Sequence, residues 1–97
     1  MVVFDKGSWQ LDGGIGADFV IEHFKFIFKW LDEYGLLSEY GKKYLNDGID
    51  EYAALTEEMV NYSGMLFLSK YYDLYISQIA YGEGENAELL KEMYYRI

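Results

Sequence analysis

The stretch of sequence that decides the fold is residues 17–34, ADFVIEHFKFIFKWLDEY. Its large apolar side chains recur at helical spacing and cover more than one face, which confines the polar residues to a narrow stripe. These apolar residues are Val20, Phe24, Ile27, Phe28 and Leu31, with Phe19, Phe26 and Trp30 beside them. The spacing predicts a central, largely buried helix that ends at Gly35 in the left-handed conformation.

The rest of the chain fits one small domain built around that helix. With 97 residues, 52% of them apolar and 20% aromatic, the chain is long enough for one core but not two. Further helices are predicted at about 39–46, at about 61–81 and from Asn86 onward, where Leu90, Met93, Tyr94 and Ile97 share one side. The expected fold is therefore mainly α, a single bundle of four to five helices over residues 1–97.

Two regions allow more than one structure. Residues 2–4 and 9–11 flank turn-forming residues, which favours a short N-terminal β-hairpin or an extended arm. Residues 50–60 fit either a helix or a helix start capped by Thr56.

A short pattern occurs twice, as LLSEYG at residues 36–41 and MVNYSG at residues 59–64. Each copy has an apolar pair, a capping residue, two further residues and a glycine in the first helical turn. Helix-start chemistry with a glycine for tight packing explains the pattern better than duplication of the segment.

Negative charge is concentrated in residues 47–62, which we call the acidic window. It contains five acids and no Lys or Arg, so it carries a charge of −5 out of the total of −9. Residues 1–46 have seven acids and five bases, and residues 63–97 have five acids and three bases, so each of these segments carries only −2. An acidic surface that also carries tyrosines is suited to docking on a basic partner. The predicted partner-binding residues are Asp47, Asp50, Glu51, Tyr52, Glu57, Glu58 and Tyr62.

Composition argues against several other partners and locations. A net charge of −9 repels phosphates and anionic lipid heads, so neither direct nucleic-acid binding nor membrane binding is expected. The chain contains no Cys, which excludes disulfides and permits a reducing compartment. The N-terminus has no secretion-signal pattern, and charged residues interrupt every long apolar run. We therefore expect a cytoplasmic protein, monomeric or weakly dimeric.

Residue patterns for catalysis or for a cofactor are weak. His23 is the only histidine, and its position among aromatic residues favours a packed, hydrogen-bonded side chain over a catalyst. The glycine-rich segment 13–16 lacks the lysine of a phosphate-binding loop, and residues 43–50 place Lys43 and Leu45 at the first calcium-ligand positions. We predict no catalytic residue, no metal and no cofactor. Tyr71 and Tyr95 are the tyrosines expected to be exposed on their helices.

Several segments resemble small acidic helical immunity proteins of bacterial polymorphic-toxin and contact-dependent inhibition systems. The resemblance is carried by FVIEHFKFIFKWL at residues 19–31, GLLSEYGK at 35–42, DGID at 47–50 and KYYD at 70–73. It implies a non-enzymatic protein that neutralises a cognate toxin by binding it, here a basic toxin domain. Two alternatives remain open: a phage-type inhibitor that mimics nucleic acid, of the anti-restriction or anti-CRISPR class, and a structural or adaptor subunit.

Overall fold

The computed structural model describes residues 1–96, so the prediction for Ile97 lies outside the described residues. The structure is mainly helical, with one small two-stranded antiparallel sheet. In chain order the elements are β1 (Val3–Lys6), α1 (Gly7–Asp12), α2 (Ala17–Glu33), α3 (Glu39–Asp47), β2 (Ala54–Thr56), a 3-10 turn (Glu57–Met59), α4 (Tyr62–Ser77) and α5 (Ala87–Tyr94). The predicted helical class and helix number are confirmed.

Helix α2 is the centre of the core, as its sequence predicts. Val20, Phe24, Phe28 and Leu31 are completely buried. Burial of four such side chains contributes about 6–12 kcal/mol of hydrophobic stabilisation before chain entropy is subtracted. Gly35 follows the helix with φ +68°, the left-handed conformation expected at that end.

The N-terminal strand pairs with a distant segment of the chain. Strand β1 lies antiparallel to β2, with Asp5 opposite Leu55 and Lys6 opposite Ala54. Residues 9–11, the other predicted arm of the hairpin, lie in helix α1 instead. The strand therefore closes a loop of about fifty residues, which local turn chemistry does not reveal.

Residues 50–60 form neither of the two predicted structures in full. They contain strand β2 and the 3-10 turn, so a continuous helix over this range is wrong. Thr56 does occupy the position before the turn, but its side chain makes no capping hydrogen bond. Pairing with β1 holds this segment extended, and the short turn that follows redirects the chain towards α4.

The two copies of the repeated pattern dock on each other, and we call this contact the clasp. Ser38 N–H donates to Met59 O and Asn61 N–H donates to Leu36 O, each at 3.0 Å. The side chains of the two capping residues form a second pair of bonds across the same contact: Ser38 Oγ donates to Glu58 O, and Asn61 Nδ2 donates to Gly35 O. In each pair, adding 23 to the residue number of the donor in the first bond and subtracting 23 from that of its acceptor gives the second bond. The two copies therefore exchange equivalent bonds, and the clasp has a local two-fold symmetry.

Both glycines of the pattern lie against the opposite copy. A Cβ on Gly41 would lie 1.9 Å from Met59 O, and a Cβ on Gly64 would lie 2.6 Å from Leu36 O. Each glycine also donates its N–H to the cap of its own helix, Ser38 or Asn61. Glycine for tight packing, the predicted explanation, is confirmed.

Helix α4 is buried more widely than its sequence pattern suggests. Leu68, Tyr72 and Tyr75 are buried, and Tyr71 is only 7% exposed, so its predicted exposure is wrong. The helix packs against β1 and against α5, which covers two of its sides. Tyr95, after the end of α5, is exposed as predicted.

Within residues 1–96, no helix is both long enough and apolar enough to cross a membrane.

Candidate functional site

The acidic window leaves the C-terminal end of α3 and runs back along that helix. Near this end, Ala54 N–H donates to the Tyr44 hydroxyl at 3.1 Å. At the other end, Ser38 N–H donates to Met59 O. A nine-residue helix is about 13 Å long, because each residue adds about 1.5 Å. The window side chains are therefore distributed along α3 and not gathered at one point.

Four predicted residues lie near the C-terminal end of α3. Asp47 is the last residue of the helix, and Asp50 follows the turn at Gly48. Asp50 Oδ1 accepts a hydrogen bond from Tyr52 N–H at 2.8 Å, which fixes the loop locally. Glu51 is half-buried, and Tyr52 is 69% exposed.

The other three predicted residues lie beyond β2. Glu57 is half-buried and exchanges two hydrogen bonds with Val2: its Oε1 accepts from Val2 N–H at 2.8 Å, and its N–H donates to Val2 O at 3.0 Å. Glu58 has an exposed side chain, and Tyr62 begins α4 with 72% of its surface exposed. Glu57 therefore ties the window to the N-terminal segment of the chain, whereas the bond of Asp50 is local.

The carboxylates of the window have no cationic partner in the described part of the chain. The ion-pair contacts found there join His23 to Asp5, His23 to Glu85 and Lys42 to Glu39. Asp47 also ends a helix, where the backbone dipole disfavours a negative charge, and no basic residue occupies the last turn. The window charge therefore does not stabilise the fold through ion pairs.

A second group of polar side chains lies in and beside the core and was not predicted as a group. This polar cluster consists of Asp5 on β1, His23 on α2, Tyr72 and Tyr75 on α4, and Tyr81 and Glu85 in the 78–86 loop. Asp5 accepts hydrogen bonds from the hydroxyls of Tyr72 at 2.5 Å and Tyr81 at 3.1 Å. It also accepts a bond from Gln10 Nε2 at 3.0 Å.

Histidine 23 joins the two carboxylates of the cluster. It is completely buried, its Nε2 lies 2.7 Å from the Tyr72 hydroxyl, and its Nδ1 lies 2.8 Å from Glu85 Oε2. Tyr72 donates its only hydroxyl proton to Asp5, so its oxygen accepts a proton from Nε2. Nδ1 and Glu85 Oε2 form the second hydrogen bond of the ring.

The tyrosines of the cluster act as neutral donors. Burial, and then the nearby charge of Asp5, raise the pKa of Tyr72 and of Tyr81 well above the ordinary value. Burial also raises the pKa of Tyr75, and its hydrogen bond to Glu85 adds to the rise. These hydroxyls therefore keep their protons and remain donors to Asp5 and Glu85 at ordinary pH.

The prediction that His23 is packed and hydrogen-bonded is confirmed, but its partners were missed. The one signal of this cluster in the sequence is His23 itself, because a buried histidine needs polar partners for its ring nitrogens. Its partners Tyr72 and Glu85 are 49 and 62 residues away, so no local motif identifies them. Both ring nitrogens are occupied and the ring is covered by Tyr81, stacked with a centroid distance of 3.9 Å. The cluster leaves His23 no free ring nitrogen for a substrate.

A shallow cleft of about 190 Å³ lies on the outer side of α2, near the start of α5. Two of its five lining residues are aromatic; the lining residues are Phe26, Lys29, Trp30, Glu33 and Ala87. Its size and lining suit a single apolar side chain. Across residues 1–96, no group of three or more His, Asp or Glu side chains is arranged to hold a metal ion.

Comparisons of the chain with protein-family models, with curated proteins and with solved structures found no significant match.

Proposed function

We propose that this is a non-enzymatic binding protein, an immunity protein that neutralises a basic bacterial toxin domain through the acidic window. It would act in the cytoplasm as a monomer or a weak homodimer. The observation that carries the proposal is the position of five carboxylates on an ordered segment without a cationic partner among the described residues. The segmental resemblance to small acidic immunity proteins supports the same function.

The window is ordered before any partner binds. Its backbone is tied to α1 by Gly7 N–H, which donates to Ala53 O at 2.7 Å, and to α3 through the clasp. A preorganised surface loses less conformational entropy on binding than a flexible one. The exposed side chains therefore meet a partner on a fixed backbone.

The charge of the window is better explained by binding than by folding. Asp47 lies at an unfavourable helix end, and Asp50 and Glu51 add charge directly after it. Such charges cost stability unless a partner compensates them. Basic side chains on a toxin would do so, and opposite charge would also speed the encounter of the two proteins.

The tyrosines supply the contact area that charge alone lacks. Tyr52 and Tyr62 are the tyrosines of the window, and both are more than two-thirds exposed. Tyrosine is enriched among the residues that contribute most to binding energy at protein interfaces. The two rings are separated along α3, so we expect an elongated contact with a basic surface.

A capture experiment with matched charge variants tests this function. The window variant is Asp47→Asn, Asp50→Asn, Glu51→Gln and Glu58→Gln, and it keeps Glu57 because of its bonds to Val2. The control variant is Glu22→Gln, Asp32→Asn, Asp73→Asn and Glu92→Gln, all at exposed positions outside the window. Each variant removes four charges and has a net charge of −9 + 4 = −5.

We expect the wild type and the control variant to capture one basic protein from an extract of native cells, identified by mass spectrometry. The window variant should not capture it. Equal capture by both variants would show that the window is not the binding surface. If the captured protein is a nucleic-acid enzyme and nucleic acid competes for it, the phage-type mimic replaces the immunity protein as the function.

A further inference from the structure

The carboxyl group of Glu85 lies among three hydrogen-bonding groups. Its Oε2 lies 2.8 Å from His23 Nδ1 and accepts from Gly82 N–H at 2.7 Å, while its Oε1 accepts from the Tyr75 hydroxyl at 2.8 Å. The Glu85 side chain is 10% exposed, although it comes from a loop. The loop therefore places its carboxyl group inside the protein, as a bound ligand would be placed, and we call the three groups that bond it the cradle.

Two of the three groups belong to helices, and the loop contacts both of them: Tyr81 stacks on the His23 ring, and Asn86 N–H donates to the Tyr75 hydroxyl at 2.9 Å. His23 belongs to α2 and is oriented by its second bond, from Nε2 to Tyr72, which is in turn bonded to Asp5. Tyr75 belongs to α4 and is completely buried. Two of the three groups are thus supplied by helices outside the loop that carries Glu85.

The backbone of the loop is also docked on α2. Gly82 has φ +72°, and a Cβ there would lie 1.9 Å from Phe19 O, so the loop backbone lies directly on the start of α2. Glycine alone fits this conformation and this spacing. The position of Gly82 brings its N–H to Glu85 and completes the cradle.

We propose that the cradle is a binding site for a small carboxylate, occupied in this structure by the chain's own Glu85. The 78–86 loop is then a strap that closes on an internal ligand. An attached ligand has an effective concentration of about millimolar or higher, so free carboxylates at lower concentration do not displace it. This inference concerns the core and does not depend on the acidic window or its partner.

Removal of the internal ligand tests the proposal. The variant Glu85→Ala empties the cradle, and Glu83→Ala is the matched control, because Glu83 is an exposed glutamate of the same loop. Equilibrium unfolding of both variants and the wild type is measured in sodium formate and in sodium chloride at equal ionic strength. Formate is the probe because it carries a carboxylate and little else.

We expect formate to stabilise Glu85→Ala in a saturable way and to leave the other two proteins as they are in chloride. A ligand at ten times its Kd shifts the folding equilibrium by a factor of about eleven. Acetate should act similarly, and pivalate, which is too bulky for a buried site, should not. Equal behaviour of Glu85→Ala in formate and chloride would overturn the proposal.

A second variant separates carboxylate binding from general salt effects. Glu85→Gln fills the cradle with a neutral side chain of the same shape, so we expect no formate dependence. Formate that stabilises Glu85→Gln as much as Glu85→Ala would contradict a specific site. If Glu85→Ala is unfolded in chloride, formate should restore its helical circular dichroism, and no recovery would count against the cradle.

Discussion

Replacement of Gly41 by alanine should destabilise the protein severely, because the clasp leaves no room for a methyl group. The added Cβ would lie 1.9 Å from Met59 O, whereas ordinary contacts begin at 3.4 Å, so one segment must move by 3.4 − 1.9 = 1.5 Å. That movement disrupts two bonds across the clasp, from Ser38 N–H to Met59 O and from Ser38 Oγ to Glu58 O.

The magnitude follows from these losses. Overpacking costs about 2 kcal/mol and the two hydrogen bonds about 1 kcal/mol each, while alanine regains about 1 kcal/mol of helix propensity. We therefore expect the free energy of unfolding to fall by about 3 kcal/mol. Gly64→Ala should cost less, because its Cβ would lie 2.6 Å from Leu36 O.

Urea unfolding followed by circular dichroism measures these differences. Gly13→Ala is the control, because Gly13 has φ −80° and its added Cβ would meet no atom closer than 3.5 Å. The control should lie within about 0.5 kcal/mol of the wild type. A Gly41→Ala protein as stable as Gly13→Ala would refute the close packing of the two helix starts.

Two further predictions concern charge and pH. The window variant, in which four acids are neutralised, should unfold at the same urea concentration as the wild type or at a higher one. It loses no ion pair, and it relieves the repulsion between negative charges at the end of α3. A clear loss of stability would contradict this. Stability should be retained up to about pH 10 and fall above it, because unfolded tyrosines then lose protons that Tyr72, Tyr75 and Tyr81 keep in the folded state. Absorbance at 295 nm should show these tyrosines ionising only as the protein unfolds, and their titration in the folded protein would disprove their burial.

The sequence predicts what depends on local spacing. Helix α2, the caps at Ser38 and Asn61 and the left-handed Gly35 are all determined by neighbouring residues, and all three are confirmed. The sequence did not reveal that the two capped helix starts dock on each other, because that contact depends on how the chain returns along α3.

The errors share one cause, which is contact between distant segments. Residues 54–56 become a strand only because β1 pairs with them, and Tyr71 is buried on a helix that packs against both β1 and α5. The polar cluster joins Asp5 to residues 67 and 76 positions away. A single sequence shows that His23 needs partners, but the fold decides which carboxylates reach it.

The most direct test of the proposed function is the association rate with the captured partner, measured by stopped flow at several salt concentrations. Electrostatic steering predicts that the wild type and the control variant associate rapidly at low salt and slow steeply as salt rises. The window variant should associate at least about tenfold more slowly at low salt and depend less on salt. An unchanged rate for the window variant, or an equal loss in both variants, would contradict the acidic window as the binding surface.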